Sequence, residues 1–542
     1  MELSTPLEQN LLKRCVVGDL LVKSVAKNPN NRILRFRDKN YTYQEFNDIV
    51  NRCANGLSSL GIEKGDKAAI LSHNCDYFLF YSWALLKIGA VMTPINWMLK
   101  DREIKDIVKH SESVFFLVED IFIPEVMKIK DDLKGVKNFG YIKLSDAHVP
   151  DDWLNFADLC SKKYPADEPE IILNDIDPAI LLYTSGTEAA PKGVILSHGG
   201  FFSTFASVPL DLQIIKGDIM LLGAPLFHIA GTFLSFAQFA MGNLVVLEYI
   251  PDMQEVLELT HEERITLWSW PTTVYMNLPN VPGFEKYDLT SLRVCGVWGA
   301  LVPPALLKMW KEISPGIIYT HGWGQTELNA MGSVNVGKNF EENPESIGKP
   351  YAGLEIKIFG PDDKELPTGE VGEIVVRGKS VMTGYYKEEE KTAYALRGGW
   401  HHTGDLGKYD EEGYLYFVDR LKDMIKTGGE NVSSADVETE LFEHPKVCEV
   451  AVVGFPDNIW GETVTAFVTL NPDTKADEKE IIAWAKQNMA AYKVPKKIIF
   501  MDEIPKNPSG KILKKDLRKE YSDLFENNFI KTEKHLISSF KL

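Results

Sequence analysis

The chain contains no C-x-x-C pair. Its six cysteines, at 15, 53, 75, 160, 295 and 448, are far apart, which disfavours a zinc site and a disulfide scaffold and suits a reducing compartment. Basic charge is not in excess: the formal net charge is −18, so a nucleic-acid backbone would be repelled and nucleic acid is not an expected partner. The N-terminal MELSTPLEQNLLKRCVV lacks the basic-then-apolar order of a signal peptide, and the expected location is cytoplasmic. No repeat or low-complexity segment occurs. One uncharged run, Ile219 to Leu247, is long enough to cross a bilayer. It is interrupted by Gly223, Pro225, His228, Gly231, Gln238, Gly242 and Asn243, and reads better as strand, buried helix, Gly-Asn turn and strand. No transmembrane segment is expected.

What remains is a soluble globular composition, 44% hydrophobic and 25% charged over 542 residues, too long for a single core. Thr42-Tyr-Gln-Glu45 has the form of a capping box. Apolar residues follow at 46, 49, 50, 53, 57 and 60, one face of a helix that Gly61 ends. The strand KAAILSH, the helix YFLFYSWALLKIG and the strand AVMTPI come next. This alternation predicts an α/β fold of mostly parallel sheet with helices on both sides. From Gly353 the texture changes to short strands and turns, LEIKIFGPDDKELPTGEVGEIVVRG, a small β-rich subdomain. A smaller α+β segment begins after Arg420. Residues 421–542 hold 18 Lys/Arg against 20 Asp/Glu, so nearly all the net negative charge lies upstream.

The stretch LLYTSGTEAAPKGVILSH (181–198) is not the G-x-x-x-x-G-K-[ST] loop, yet its chemistry is that of a phosphate cradle. Thr184, Ser185 and Thr187 offer hydroxyls, Gly186 lets backbone N–H groups approach an anion, and Lys192 adds a mobile positive charge.

Five motifs in order give that loop a context: YTSGTEAAPKGV, HGWGQTE (321–327), GWHHTGDLG (399–407), DRLKDMIKTGGENV (419–432) and PKNPSGKILKKDLR (505–518). Together they resemble the adenylate-forming superfamily of acyl-CoA synthetases, peptide-synthetase adenylation domains and firefly luciferases, over roughly 30 to 520. The resemblance implies a domain from 1 to 420 that binds nucleotide and acyl group, and a mobile lid from 421 to 542 hinged at Lys422. It implies ATP, Mg2+ and coenzyme A as cofactors and a small carboxylic acid as substrate. The implied metal contacts are Glu327, with Thr184 as a second contact to metal or phosphates; Thr326 would meet the α-phosphate. Trp323 stands where an aromatic ring lies against adenine, within His321, Gly322, Trp323, Gly324 and Gln325. Gly299 and Ala300 pass along the nucleotide and acyl pocket. Asp405 and Arg420 match the ribose contacts, and Lys511 the cation that bridges carboxylate and α-phosphate. Gly428, Gly429 and Glu430 match the lid loop that leaves room for the pantetheine arm. His228 matches a gate near the acyl carboxylate.

Two departures from the family pattern are Glu188-Ala189, where Thr-Gly or Ser-Gly is usual, and Trp298, where glycine is common. Acetate-specific relatives carry a tryptophan just before Q-T-E, and Gly324 stands there instead. With no charge in the run Phe227–Phe239 to hold a second ionic group, the expected substrate is a monocarboxylic acid longer than acetate. Medium- to long-chain fatty acids rank first; short-chain or aryl acids are alternatives. Transfer to a carrier-protein phosphopantetheine and a luciferase-like oxidation are competing readings. The tail after Glu520 carries Leu524, Phe525, Phe529 and Ile530, a candidate helix to dock on a neighbour, so a homodimer is a candidate assembly.

Overall fold

The computed structural model describes residues 5–184, 192–298, 304–427, 430–457, 460–472, 474–506 and 512–522. The chain divides into two compact units, Met1–Ile356 with Val376–His401, and Lys357–Val375 with His402–Leu542.

In chain order the strands of the first unit open with β1 (Arg32–Phe36), β2 (Lys39–Thr42), β3 (Lys67–Leu71), β4 (Val91–Ile95), β5 (Ser113–Glu119), β6 (Asn138–Ile142) and β7 (Leu154–Asn155). Next come β8 (Pro178–Thr184), β9 (Lys192–Ser197), β10 (Ile219–Leu222), β11 (Leu244–Leu247) and β12 (Leu267–Pro271). They are followed by β13 (Val294–Trp298), β14 (Ile318–Trp323), β15 (Ser333–Val336) and β16 (Ser346–Pro350). After β17 (Leu354–Phe359) and β18 (Gly372–Gly378), β19 (Gly384–Tyr385) returns to this unit.

One sheet has the order β19-β9-β8-β4-β3-β5-β6-β7 and is parallel from β8 to β7. The other runs β16-β15-β14-β13-β12-β10-β11-β1-β2, parallel from β14 to β1. Parallel strands need both faces covered, and β3, β4 and β5 are accordingly buried along nearly their whole length. β3, β4, β5 and β8 therefore end at one edge, and β12, β13 and β14 end together at another.

The capping box forms as the sequence predicts. Thr42 Oγ1 accepts from the Glu45 N–H at 3.2 Å, and Glu45 Oε2 accepts from the Thr42 N–H at 2.8 Å. The helix Tyr43–Ser59 buries Phe46, Val50, Cys53 and Leu57. The uncharged run resolves into β10, the buried helix Ile229–Met241, a left-handed Gly242 (φ 82°) and β11. No described helix is long and apolar enough to cross a membrane.

The cysteines require a correction. Cys53 and Cys160 form a disulfide, their Cα atoms 4.6 Å apart. Their separation of 107 residues hides the pairing from any reading of local spacing. Helix packing creates it: a Cβ on Gly56 would lie 3.2 Å from Leu159 Cβ, so the glycine eases a close approach beside Cys160.

In the second unit β20 (His401–Tyr409) pairs antiparallel with β21 (Leu415–Arg420). A further sheet follows from β22 (Ile425–Thr427), β23 (Glu430–Val432), β24 (Val447–Asp457), β25 (Gly461–Leu470) and β26 (Lys497–Phe500), in the order β23-β22-β25-β24 with β26 on β25. Helices Ser434–Phe442 and Glu478–Asn488 cover a core that includes Ile425, Val437, Leu441, Val464 and Ile481.

Candidate active site

The phosphate-loop motif is the connection of a hairpin. β8 and β9 are antiparallel, and Thr184 faces Lys192 at the end of the ladder. Ala179 to Leu182, Val194 and Leu196 are buried, which anchors the hairpin in the sheet. Residues 185–191, and with them Ser185, Gly186, Thr187 and Glu188-Ala189, lie outside the described residues. Two of the predicted phosphate contacts are thus placed opposite each other at the C-terminal edge of a parallel sheet, where open α/β sheets bind ligands.

Glu327 lies in the short turn Thr326–Leu328 that follows β14. Asn329 and Ala330 both have positive φ, 56° and 89°, so the chain doubles back. A Cβ on Gly324 would overlap the Ala330 carbonyl oxygen, so this turn requires the glycine before Q-T-E. Asn329 Nδ2 donates to Ser380 O at 2.6 Å, the Met382 N–H donates to Glu327 O at 2.8 Å, and Tyr385 Oη donates to Glu327 Oε1 at 3.0 Å. The Lys192 ammonium lies 5.3 Å from the centre of the Tyr385 ring. Gln325 Oε1 lies 3.3 Å from His401 Nε2.

Among the described residues no three His, Cys, Asp or Glu side chains cluster as a metal cage. The donors at this turn, the Glu327 carboxylate with Thr326 beside it and the Thr184 hydroxyl on the hairpin, suit Mg2+. That ion is usually held by one or two carboxylates plus substrate phosphates.

On β14, His321 and Trp323 share a face. The His321 ring stacks 5.4 Å from Phe340 and its Nδ1–H donates to Val297 O at 2.9 Å; burial holds its pKa below the usual histidine value. Trp323 is 8% exposed, and a Cβ on Gly332 would overlap its ring. The opposite face of β12, β13 and β14 carries Ser269, Gly296 and Thr320, small residues in one row: a Cβ on Gly296 would lie 3.1 Å from Ser269 Oγ and 3.4 Å from Thr320 Oγ1. Trp298 Nε1–H donates to Ser269 Oγ at 3.2 Å, which draws its half-buried indole towards β12. Gly299 and Ala300 lie outside the described residues. His228 caps the helix Ile229–Met241, its Nδ1 accepting from the Ala230 N–H at 3.2 Å. An accepting Nδ1 places the ring proton on Nε2.

The second unit pairs the two predicted ribose contacts. Asp405 and Arg420 are cross-strand partners, with Arg420 Nε 3.6 Å from Asp405 Oδ1. Lys422 is exposed in the turn after β21, which closes when the Asp423 N–H donates to Arg420 O at 2.9 Å. Thr427 pairs with Glu430; Gly428 and Gly429 between them lie outside the described residues, as does Lys511. Lys506 and Ile512 form an antiparallel bridge on either side of 507–511.

The profile of the AMP-binding enzyme family matches residues 21–386, and that of the AMP-binding enzyme C-terminal domain matches residues 436–511. The chain belongs to the AMP-binding enzyme family. A feruloyl-CoA synthase of Amycolatopsis sp is 33% identical over 506 residues, covering 93% of this chain and 99% of that protein. The long-chain-fatty-acid–CoA ligase FadD13 of Mycobacterium tuberculosis is 33% identical over 491 residues, covering 90% and 94%. Among solved structures, an anthranilate CoA ligase, AuaEII, in complex with anthranoyl-AMP superimposes with a TM-score of 0.84 at 28% identity, covering 94% of this chain and 98% of that one. This adenylate-forming protein is an AMP-forming acid–CoA ligase, and it uses ATP, Mg2+, CoA and a carboxylic acid.

Two residues at the site carry no sequence signal. Ser269 lies between two core tryptophans, and Tyr385 is one of a Tyr-Tyr pair in a polar stretch. Only the folded chain shows what each touches.

Proposed function

We propose that this ligase activates a monocarboxylic acid, with medium- to long-chain fatty acids first, and passes the acyl group to CoA. A carboxylate oxygen attacks the α-phosphorus of ATP, the α–β P–O bond breaks and pyrophosphate leaves. The CoA sulfur then attacks the acyl carbon, the C–O bond to AMP breaks, and the thiol proton passes to solvent. Thr184, Lys192 and, by its place in the motif, Lys511 would offset the charge that the first step gathers. Asp405 and Arg420 would hold the ribose, and the Trp323 ring the adenine. The domain division at 420, the hinge at Lys422, a cytoplasmic location and a homodimer belong to the same proposal.

The observation that carries the substrate class is the Trp298–Ser269 hydrogen bond. It holds a flat apolar ring against Ser269, and the uncharged helix from Ile229 offers no partner for a second ionic group. Such a wall suits an alkyl chain of limited length, each buried methylene adding about 0.8 kcal/mol until the pocket ends. Aryl acids are the second reading, favoured by the same flat ring and by the feruloyl-CoA synthase relative. The test is kcat/KM for acids from acetate to palmitate, with ferulate, for the native enzyme and Trp298→Gly. The expected native optimum lies beyond acetate, and the variant should shift it to longer chains. A maximum at acetate contradicts the reading of Gly324, and an unchanged profile removes Trp298 from the pocket.

A further inference from the structure

The segment 380–386 is joined to both halves of the phosphate site. Towards the hairpin, the Thr383 N–H donates to Ile195 O at 2.9 Å and the Tyr386 N–H to Gly193 O at 2.7 Å, so β19 continues the sheet beside β9. Towards the Q-T-E turn, Ser380 O accepts from Asn329 and the Met382 N–H reaches Glu327 O. Tyr385 is the side chain that joins the two. Its hydroxyl donates to Glu327 Oε1 at 3.0 Å, while its ring faces the Lys192 ammonium at 5.3 Å. Its own backbone N–H donates to Thr392 Oγ1 at 2.9 Å, and Thr392 Oγ1 donates on to Glu388 O, which fixes the strand that presents it.

We propose that Tyr385 is a positioning residue for the metal-binding carboxylate and the phosphate-binding lysine together; this rests on the roles given above to Glu327 and Lys192. A phenol donor on Oε1 occupies one carboxylate oxygen and orients the other. Groups that orient a metal ligand in this way are typically worth ten- to a hundredfold in metal affinity. The ring has a second effect. The aromatic face holds the ammonium by its π-electrons while the hydroxyl holds the carboxylate.

The two functions of the side chain separate by substitution. Tyr385→Phe keeps the ring and loses the donor; Tyr385→Leu loses both. Calorimetric titration of ATP at a series of Mg2+ concentrations reads the effect without turnover. For Tyr385→Phe the Mg2+ concentration giving half-maximal ATP affinity should rise about tenfold, with metal-free ATP binding unchanged. Tyr385→Leu should show the same rise and weaker metal-free ATP binding as well, because the Lys192 ammonium loses the ring it faces. Glu327→Gln is the control: it should abolish the Mg2+ dependence. If it does and Tyr385→Phe titrates like the native protein, the positioning role is wrong. If Glu327→Gln keeps a native Mg2+ dependence, the metal role of Glu327 is wrong and the proposal for Tyr385 falls with it. A purely structural tyrosine would lower thermal stability in both variants and leave the Mg2+ midpoint in place, which also overturns the proposal.

Discussion

Glu248 follows β11, and its side chain is 1% exposed with neither carboxyl oxygen hydrogen-bonded. Removal from water, with the charge of Glu255 as a second cause, pushes its pKa up to about 8 from an ordinary 4.5. The unfolded chain therefore releases this proton at about its ordinary pKa, while the folded chain keeps it until near pH 8. Between those two values the unfolded state gains relative to the folded one, so stability falls as pH rises through the window and is flat on either side. Glu248→Gln removes the titration. Its advantage in unfolding free energy, read by urea titration, should be small near about pH 4 and grow to the order of a few kcal/mol by about pH 8. An advantage that is equal at both pH values would show that the carboxyl ionises normally in place. At neutral pH the buried Glu248 carboxyl thus keeps its proton, near the charges of Glu255 and Asp252.

The hairpins show how element and function coincide. In β22–β23, Thr427 faces Glu430 and only Gly428 and Gly429 lie between. Two-residue connections favour glycine because the backbone turns through positive φ, and the proposed passage of a pantetheine arm would need the same absence of side chains. Gly429→Leu is expected to lower acyl-CoA formation more than pyrophosphate release, with the two half-reactions assayed separately. Equal losses would mean that the glycine serves the turn alone. Elements of this kind were legible in the sequence because their signals are local. Thr42 and Glu45 mark a helix start within one turn, Gly242-Asn243 splits an apolar run, and the apolar residues on either side of the phosphate motif announce β8 and β9. What was not legible is contact across distance. Tyr385 meets Glu327 over 58 residues and Cys53 meets Cys160 over 107. No periodicity spans such gaps; the order in which strands assemble into sheets decides them. The small-residue row at Ser269, Gly296 and Thr320 was hidden for the same reason, since each member belongs to a different strand.

At the scale of the whole molecule the proposed residues are divided between two compact units, the phosphate hairpin and Q-T-E turn in one, Asp405, Arg420 and the motif of Lys511 in the other. That division gives a prediction about reaction order. If Lys511 serves only the step in which carboxylate meets phosphate, Lys511→Ala should lower adenylation by about 10²–10³ and leave thioester formation from a supplied acyl-adenylate largely intact. Equal damage to both steps, in a variant of native stability, would contradict the assignment. The first unit has a consequence of its own. β1 lies in the sheet between β2 and β11, with Leu34 beside Val245. A ribosome makes about 210 residues between them, which at the usual rate of roughly 5–20 residues per second is a delay of ten seconds or more. During that interval the edge of β1 that will meet β11 has no strand partner. β1 is thus made long before the strand that pairs its second edge, and that edge stays open until Val245 and its neighbours are synthesised.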